Sequence, residues 1–301
     1  MSGPDLGASV RQRLLNQSRR DGRPFQELLQ YFAMERFLYR LAQSRFADRF
    51  ILKGALLLTA WRAPVSRPTM DIDLAGSTDN DLDFIRSFIV ELCGFETPPD
   101  GIVFEKNSVE AVRIVEDADY EGVRVRFRAT VARARVPMQI DIGFGDVMVP
   151  GPIEVSYPTL LDFPAPVLRA YSKETVIAEK LEALTTLGLL NSRMKDYYDL
   201  ALLSRVYPFD GARVVDAIVA TFRNRGTSIA AEPDGLTEAF YSDPAKTTQW
   251  RAFLRRSRIL EEPGGFQAAV LGIRDFAGAP LFAAAKQKPF EVHWWPGGTW
   301  A

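Results

Sequence analysis

The chain has 301 residues, 47% of them apolar and 25% charged, which describes a folded protein with a sizeable core and room for one large or two modest domains. Its 37 basic and 38 acidic residues leave a formal net charge of -1, so the chain as a whole is no polyelectrolyte partner for nucleic acid or anionic lipid, and any basic surface must be local. One cysteine, Cys93, argues against a disulfide framework and a multi-cysteine zinc site; one histidine, His293 near the C-terminus, argues against histidine triads and multi-histidine metal sites. Chemistry must then run on carboxylates, lysines and arginines.

The N-terminal residues lack a basic region followed by an apolar one, and no window approaches the length of a membrane span, so a cytoplasmic location without a membrane partner is expected. Apolar residues at three- and four-residue steps predict helices over 9–20 and 25–45, separated by Gly22 and Pro24. Residues 51–61 are almost wholly apolar and read as a buried helix whose one charge is Lys53. Met70 to Ala75 alternates acids with apolar residues and reads as a strand. Residues 79–92 form the next predicted helix, capped by Asp79 or Asn80. Runs 109–115, 123–131 and 136–144 alternate and are close enough for an antiparallel meander. Prolines crowd 150–166, an extended connector where a domain boundary is expected. Helical patterns then occupy 173–187, 192–206, 211–224, 236–241, 247–254 and 266–276. The expected organisation is 1–150 as N-terminal helices and a catalytic core, 151–285 as a helical domain completing the active-site cleft, and 286–301 as a tail or packing strap.

Asp71 and Asp73 lie two apart on a predicted strand, so both side chains leave one face with Cβ atoms about 6 to 7 Å apart. Converging carboxylates repel unless a cation lies between them. Asp141 sits in a similar apolar alternation on a later strand, and three strand-borne acids suit an all-oxygen Mg²⁺ site of the kind that serves two-metal phosphoryl chemistry. Upstream, Lys53-Gly54 places a glycine where backbone amides at a helix start could meet phosphate. This glycine turn, followed by Asp-x-Asp and a distant third Asp, resembles the nucleotidyltransferase superfold. Many of its members carry serine after the glycine. Here Ala55 leaves backbone amides, Lys53 and Ser66, Arg67 or Thr69 for the nucleotide. On a helix, Lys180 shares a face with Val176 and Leu184 and either snorkels outward or faces a phosphate. Arg193, Asp196, Tyr197 and Leu200 share a side of the following helix, where Asp196 could simply pair with Lys180 or Arg193. Arg124, Arg126 and Arg128 alternate with Val123, Val125 and Phe127, giving a strand with an arginine face that either is solvated or contacts RNA phosphates.

Five stretches carry a narrower resemblance: Phe50-Ile51-Leu52-Lys53-Gly54-Ala55, Met70-Asp71-Ile72-Asp73-Leu74, Gln139 through Asp146, Ala178-Glu179-Lys180, and Asn191 through Leu200. Together, in order over residues 50–200, they resemble the AbiEii/AbiGii (MenT-like) nucleotidyltransferase toxins of type IV-like toxin–antitoxin and abortive-infection systems. The resemblance implies an α/β (α+β) fold, with a mixed nucleotidyltransferase sheet, flanking helices and a C-terminal helical domain. It implies transfer of a nucleoside monophosphate from an NTP, with Mg²⁺ or Mn²⁺, onto an RNA acceptor, the tRNA 3′ end, so that translation stops, and a cognate antitoxin as partner. Asp71 and Asp73 would hold the metal, Asp141 would complete its ligands or accept the proton of the attacking hydroxyl, and Lys53 and Gly54 would touch phosphate. Lys180 and Asp196 are the active-site pair that the family implies, with Lys195 and Asp199 as adjacent candidates and Arg193 and Lys195 as nucleotide contacts. The competing readings are a small-molecule nucleotidyltransferase and a catalytically idle nucleotide- or RNA-binding protein.

Overall fold

The structure, a computed structural model, describes residues 5–64, 67–116, 120–259 and 264–301. It divides into two compact units, one formed by the chain up to Gly145 together with Ile153–Ala170, the other by Asp146–Pro152 together with Tyr171–Ala301.

In the first unit, α1 (Leu6–Asp21) starts where the Asp5 carboxylate accepts the Ala8 N–H and stops at Gly22, whose φ of 69° reverses the chain. Helix α2 (Phe25–Gln43) is buried on most sides. Residues 51–61 depart from the expected single helix: they form strand β1 (Phe50–Lys53), a turn at Gly54 and the five-residue α3 (Leu56–Ala60). A short apolar run is equally the mark of a strand covered on both faces, and β1 lies inside the sheet. Strand β2 (Ile72–Gly76) follows, then α4 (Leu82–Cys93), whose cap is Asp81 rather than Asp79 or Asn80. Strands β3 (Ile102–Glu116), β4 (Tyr120–Val131) and β5 (Ala134–Phe144) form the antiparallel meander that the alternation predicts, with β3 starting earlier than its regular pattern. The proline-rich stretch carries β6 (Ile153–Ser156) and leads into β7 (Val167–Ala170), and the two strands pair with each other.

These strands make a seven-stranded sheet in the order β3-β4-β5-β2-β1-β7-β6. It is mixed: β2 runs antiparallel to β1 and parallel to β5, and β7 is parallel to β1. One face is apolar and covered by helices. Phe50 stacks on Phe88 of α4 with centroids 4.1 Å apart, and Phe37 of α2 lies 5.6 Å from Phe104 and 5.4 Å from Phe127. Because side chains alternate along each strand, the odd-numbered residues of β1, β2 and β5 project from the opposite face.

The second unit is helical: α5 (Lys173–Leu187), α6 (Met194–Val206), α7 (Gly211–Asn224), α8 (Glu238–Tyr241), α9 (Pro244–Arg256) and α10 (Gly265–Ala285). Helix α10 runs nine residues past its expected end at 276, through Pro280. Its 21 residues hold an 18-residue window of mean hydropathy 1.3, long and apolar enough to cross a bilayer, which corrects the expectation that no window is. Half of that window is buried, with Phe266, Val270, Ile273, Phe276 and Leu281 in the unit's core, the ordinary state of a core helix. The terminal segment is a strap. Strand β8 (Phe209–Asp210) pairs with β9 (His293–Trp294), the Trp294 indole N–H donates to Ser204 O at 2.7 Å, and that of Trp300 to Phe276 O at 2.7 Å. His293 is exposed, 3.6 Å from Asp210, while Cys93 is buried and its thiol is pushed up to about 12 by that burial.

One buried ion pair ties α2 to the approach to β3. Arg40 grips Asp100 with two bonds, 2.7 and 3.2 Å, both residues being less than a tenth exposed. Removing one partner strands the other as a buried charge, whereas replacing both removes the desolvation cost as well. Arg40→Met is therefore expected to lower the urea-unfolding free energy by about 3–5 kcal/mol, and Arg40→Met with Asp100→Leu to recover most of it; equal losses in the two variants would contradict this account.

Candidate active site

Strand register assembles the polar face of the sheet. Lys53 of β1 lies opposite Asp73 of β2, Asp73 beside Asp141 of β5, and Asp141 opposite Arg124 of β4. Residues opposed in this way share a face, so four charged side chains stand in one row, with the two acids in the middle and a cation at each end. The adjacent row, Leu52, Leu74, Ile142 and Val123, points to the helices and is buried throughout. Alternation thus separates a charged row from an apolar one by a single residue step.

Asp71 stands one residue before β2. Thr69 donates its hydroxyl to Asp71 Oδ1, and the Thr69 backbone N–H donates to the Tyr31 hydroxyl at 3.2 Å. The α2 tyrosine thereby fixes the entrance to the strand. Asp71, Asp73 and Asp141 each offer an oxygen to a common point, and these oxygens lie within 4.8 Å of one another. An all-oxygen set of this kind fits Mg²⁺ or Mn²⁺. Asp71 and Asp73 are half-buried and Asp141 is buried. Arg124 forks onto Asp141, Nε to Oδ1 at 2.8 Å and Nη2 to Oδ2 at 2.7 Å, and the Gln139 amide donates to Oδ2 at 3.3 Å. Arg126 holds Gln139 at 3.2 Å and Arg128 pairs with Glu105 at 2.8 Å.

Gly54 has a steric reason to be glycine. Its φ is +73°, and a Cβ there would fall 1.8 Å from Asp73 Oδ2 and 2.6 Å from Asp73 Cγ. The carboxylate occupies the space that any other residue's side chain would need. Ala55 is buried, Arg67 is half-buried in the loop before β2, and Ser66 lies outside the described residues.

The second unit has its own charged cluster. Lys180 of α5 does not snorkel outward: its Nζ is 2.7 Å from Asp196 Oδ1 and 2.9 Å from Asp199 Oδ2, both on α6. Arg193 Nε lies 2.8 Å from Asp196 Oδ2, an ion pair by distance whose N–H is not aimed along the line of centres. Burial alone would raise the Asp196 carboxyl; Lys180 and Arg193 overcome it and hold the group down at about 2. Lys195 is exposed. Two residues to which the sequence assigns no role support the cluster, Asn191 at the head of the Asn191–Leu200 stretch and Lys246 outside every motif. The Asn191 side chain accepts the Arg193 N–H at 2.8 Å, and buried Lys246 donates to the Asn191 carbonyl at 2.8 Å. Together they fix the start of α6.

A mixed sheet with three convergent carboxylates at one face, next to a glycine turn, defines a protein of the nucleotidyltransferase class, whose members use an NTP and a divalent cation. The model of the family described as "Nucleotidyl transferase AbiEii toxin, Type IV TA system" matches residues 36–278, and the chain belongs to that family. No curated protein matches it. Among solved structures it is similar to JHP933 from Helicobacter pylori, at 15% identity and a TM-score of 0.49, covering 87% of this chain and 93% of that one. It is also similar to another H. pylori structure described as a candidate nucleotidyltransferase, at 16% identity and a TM-score of 0.47, covering 87% and 96%. Membership of a type IV toxin family carries with it a nucleotide substrate and a cognate antitoxin.

The acid side of stability should report on the second cluster. A carboxyl held below its ordinary value stabilises the fold above the unfolded value of 3.8, and that contribution drains as pH falls toward about 2. In Lys180→Met the burial of Asp196 is opposed by Arg193 and, more weakly, Lys195, so its pKa rises. Stability should fall by about 3–5 kcal/mol at neutral pH, and the acid limb of the unfolding free energy should begin at higher pH than in the wild type. A wild-type and variant pair of curves that stay parallel from pH 3 to 7 would contradict the pairing.

Proposed function

We propose that this chain transfers a nucleoside monophosphate from an NTP, with Mg²⁺, onto an RNA acceptor, the 3′ end of tRNA, and so stops translation in the cytoplasm until its antitoxin intervenes. The convergence of Asp71, Asp73 and Asp141 at one face of the sheet carries this reading. Histidine chemistry is unsupported there, since the one histidine, His293, sits on the terminal strap.

In this reading the three aspartates hold the cation, and Asp141 either completes its ligands or takes the proton of the attacking hydroxyl. A bound Mg²⁺ supplies charge neutralisation for the triphosphate. Lys53, which shares the carboxylate face, contacts phosphate together with the backbone at Gly54, and Arg67 and Thr69 border the same loop. Lys180 offsets the charge that develops on departing pyrophosphate, Asp196 holds that lysine oriented, and Arg193 and Lys195 contact the nucleotide. Arg126 and Arg128 are exposed on the carboxylate side of β4, which supports a phosphate backbone lying along that strand. Their pairing with Gln139 and Glu105 is at or near the surface and would exchange for phosphates at small cost.

Incubation with each of the four labelled NTPs and total RNA, followed by purified tRNA with and without its terminal nucleotides, tests the proposal. Label is expected on the tRNA 3′ end, and Asp71→Ala is expected to lose transfer by about 100-fold or more together with growth toxicity. Label on small molecules alone would replace the RNA acceptor, and undiminished toxicity of Asp71→Ala would replace catalysis with binding.

A further inference from the structure

We infer that Arg124 is a positioning residue that competes with the catalytic cation for Asp141, so that the carboxylate cluster is partly neutralised by protein cations until metal and nucleotide displace them together. The inference rests on the nucleotidyl-transfer reading of the cluster and adds to it a residue and an order of events.

Geometry carries it. A carboxylate has two oxygens, and Arg124 bonds to both of those of Asp141, at 2.8 and 2.7 Å, with Gln139 also donating to Oδ2. The oxygen that Asp141 would give to a cation, within 4.8 Å of those of Asp71 and Asp73, is thus already accepting a charge-assisted hydrogen bond. A divalent ion close to that point and a guanidinium fork on both oxygens repel each other, so the first must weaken the second. Arg124 is only half-buried, with 29% of its side chain exposed, which leaves it room to turn away from the sheet. The same row holds Lys53 opposite Asp73 at the other end, so each central acid has one cation beside it. A triphosphate offers those two cations new anionic partners as the metal takes the acids. Free metal offers the cations nothing, and without nucleotide it must work against Arg124.

The sign of the effect separates this role from simple bracing. A brace that only orients Asp141 predicts that losing Arg124 weakens metal binding; a competitor predicts that losing it strengthens binding. Mn²⁺ titration of the nucleotide-free protein, read by electron paramagnetic resonance, makes the measurement without any assay of turnover. Arg124→Met is expected to bind Mn²⁺ about tenfold more tightly than wild type, the scale of an opposite charge a few ångströms from a partly buried group. Arg126→Met loses the same charge two residues along but leaves Asp141 in the fork, and should change affinity by about twofold at most. Adding Asp141→Asn to Arg124→Met should abolish the gain. Unchanged or weaker Mn²⁺ binding in Arg124→Met, or a gain that survives Asp141→Asn, overturns the inference, while circular dichroism melts of each variant show whether a weaker reading comes from unfolding. Because the readout is the metal alone, failure of the RNA acceptor or of transfer itself would leave these outcomes unaffected, and their failure would leave transfer standing.

Discussion

Mutual repulsion among three carboxylates is the constraint to which the first unit answers. Two unit charges 4.8 Å apart in surroundings of effective dielectric 20 repel by about 3 kcal/mol, and three acids multiply that. Such a cluster persists only if opposite charge or hydrogen-bond donors are supplied nearby. The sheet supplies them by register. The order β4-β5-β2-β1 delivers Arg124 to one side of the acid pair and Lys53 to the other, while Thr69, itself held by Tyr31, donates to the remaining acid. The apolar rows beneath lock that register, since a slip of one residue would bury the charged row among Leu52, Leu74 and Ile142.

The second unit solves the inverse problem. Around Lys180 the acids are placed to serve a cation, and Asp196 is enclosed, its side chain 3% exposed and held by both Lys180 and Arg193. An acid so enclosed is poorly placed to ligate a metal, whereas Asp71 and Asp73 retain access to solvent. The roles proposed for Asp71, Asp73 and Asp196 fit this difference in burial: the two half-buried carboxylates can meet an incoming cation, and the enclosed one fixes a lysine. Asn191 and Lys246 extend the enclosure to the first turn of α6, which explains why that turn holds its geometry without a side-chain cap.

The Asp-x-Asp strand, the arginine-faced β4, the third acid and helices α5 and α7 were legible because each follows a strict period of two or of three to four residues. Residues 51–61 were not, because an unbroken apolar run has no period and cannot distinguish a covered strand from a covered helix. Arg124's attachment to Asp141 was hidden for a different reason. The β4–β5 turn consists of Ala132 and Arg133, with Ala132 at φ 52°. A hairpin of this length ordinarily announces itself with Asn-Gly or Gly; with neither present, the pairing of residue 124 with residue 141 could not be counted outward from the turn. The end of α10 was obscured by Pro280, a residue that normally marks a boundary.

Glycine after Lys53 was expected for the sake of phosphate, with amides approaching a ligand. The geometry supplies a requirement that holds even without one. Asp73 Oδ2 sits where a Cβ of residue 54 would be, so the second acid of Asp-x-Asp can reach its place beside Asp141 only if the neighbouring turn has no side chain. Positive φ adds a cost of about 1–2 kcal/mol for any other residue, but the steric exclusion is the sharper term, since relief would demand moving the carboxylate itself. Glycine turn and acid pair are therefore one device rather than two motifs that happen to co-occur. Ala55, where many members of the superfold carry serine, leaves the carboxylate side untouched, so the three acids can converge in a chain whose turn lacks that hydroxyl.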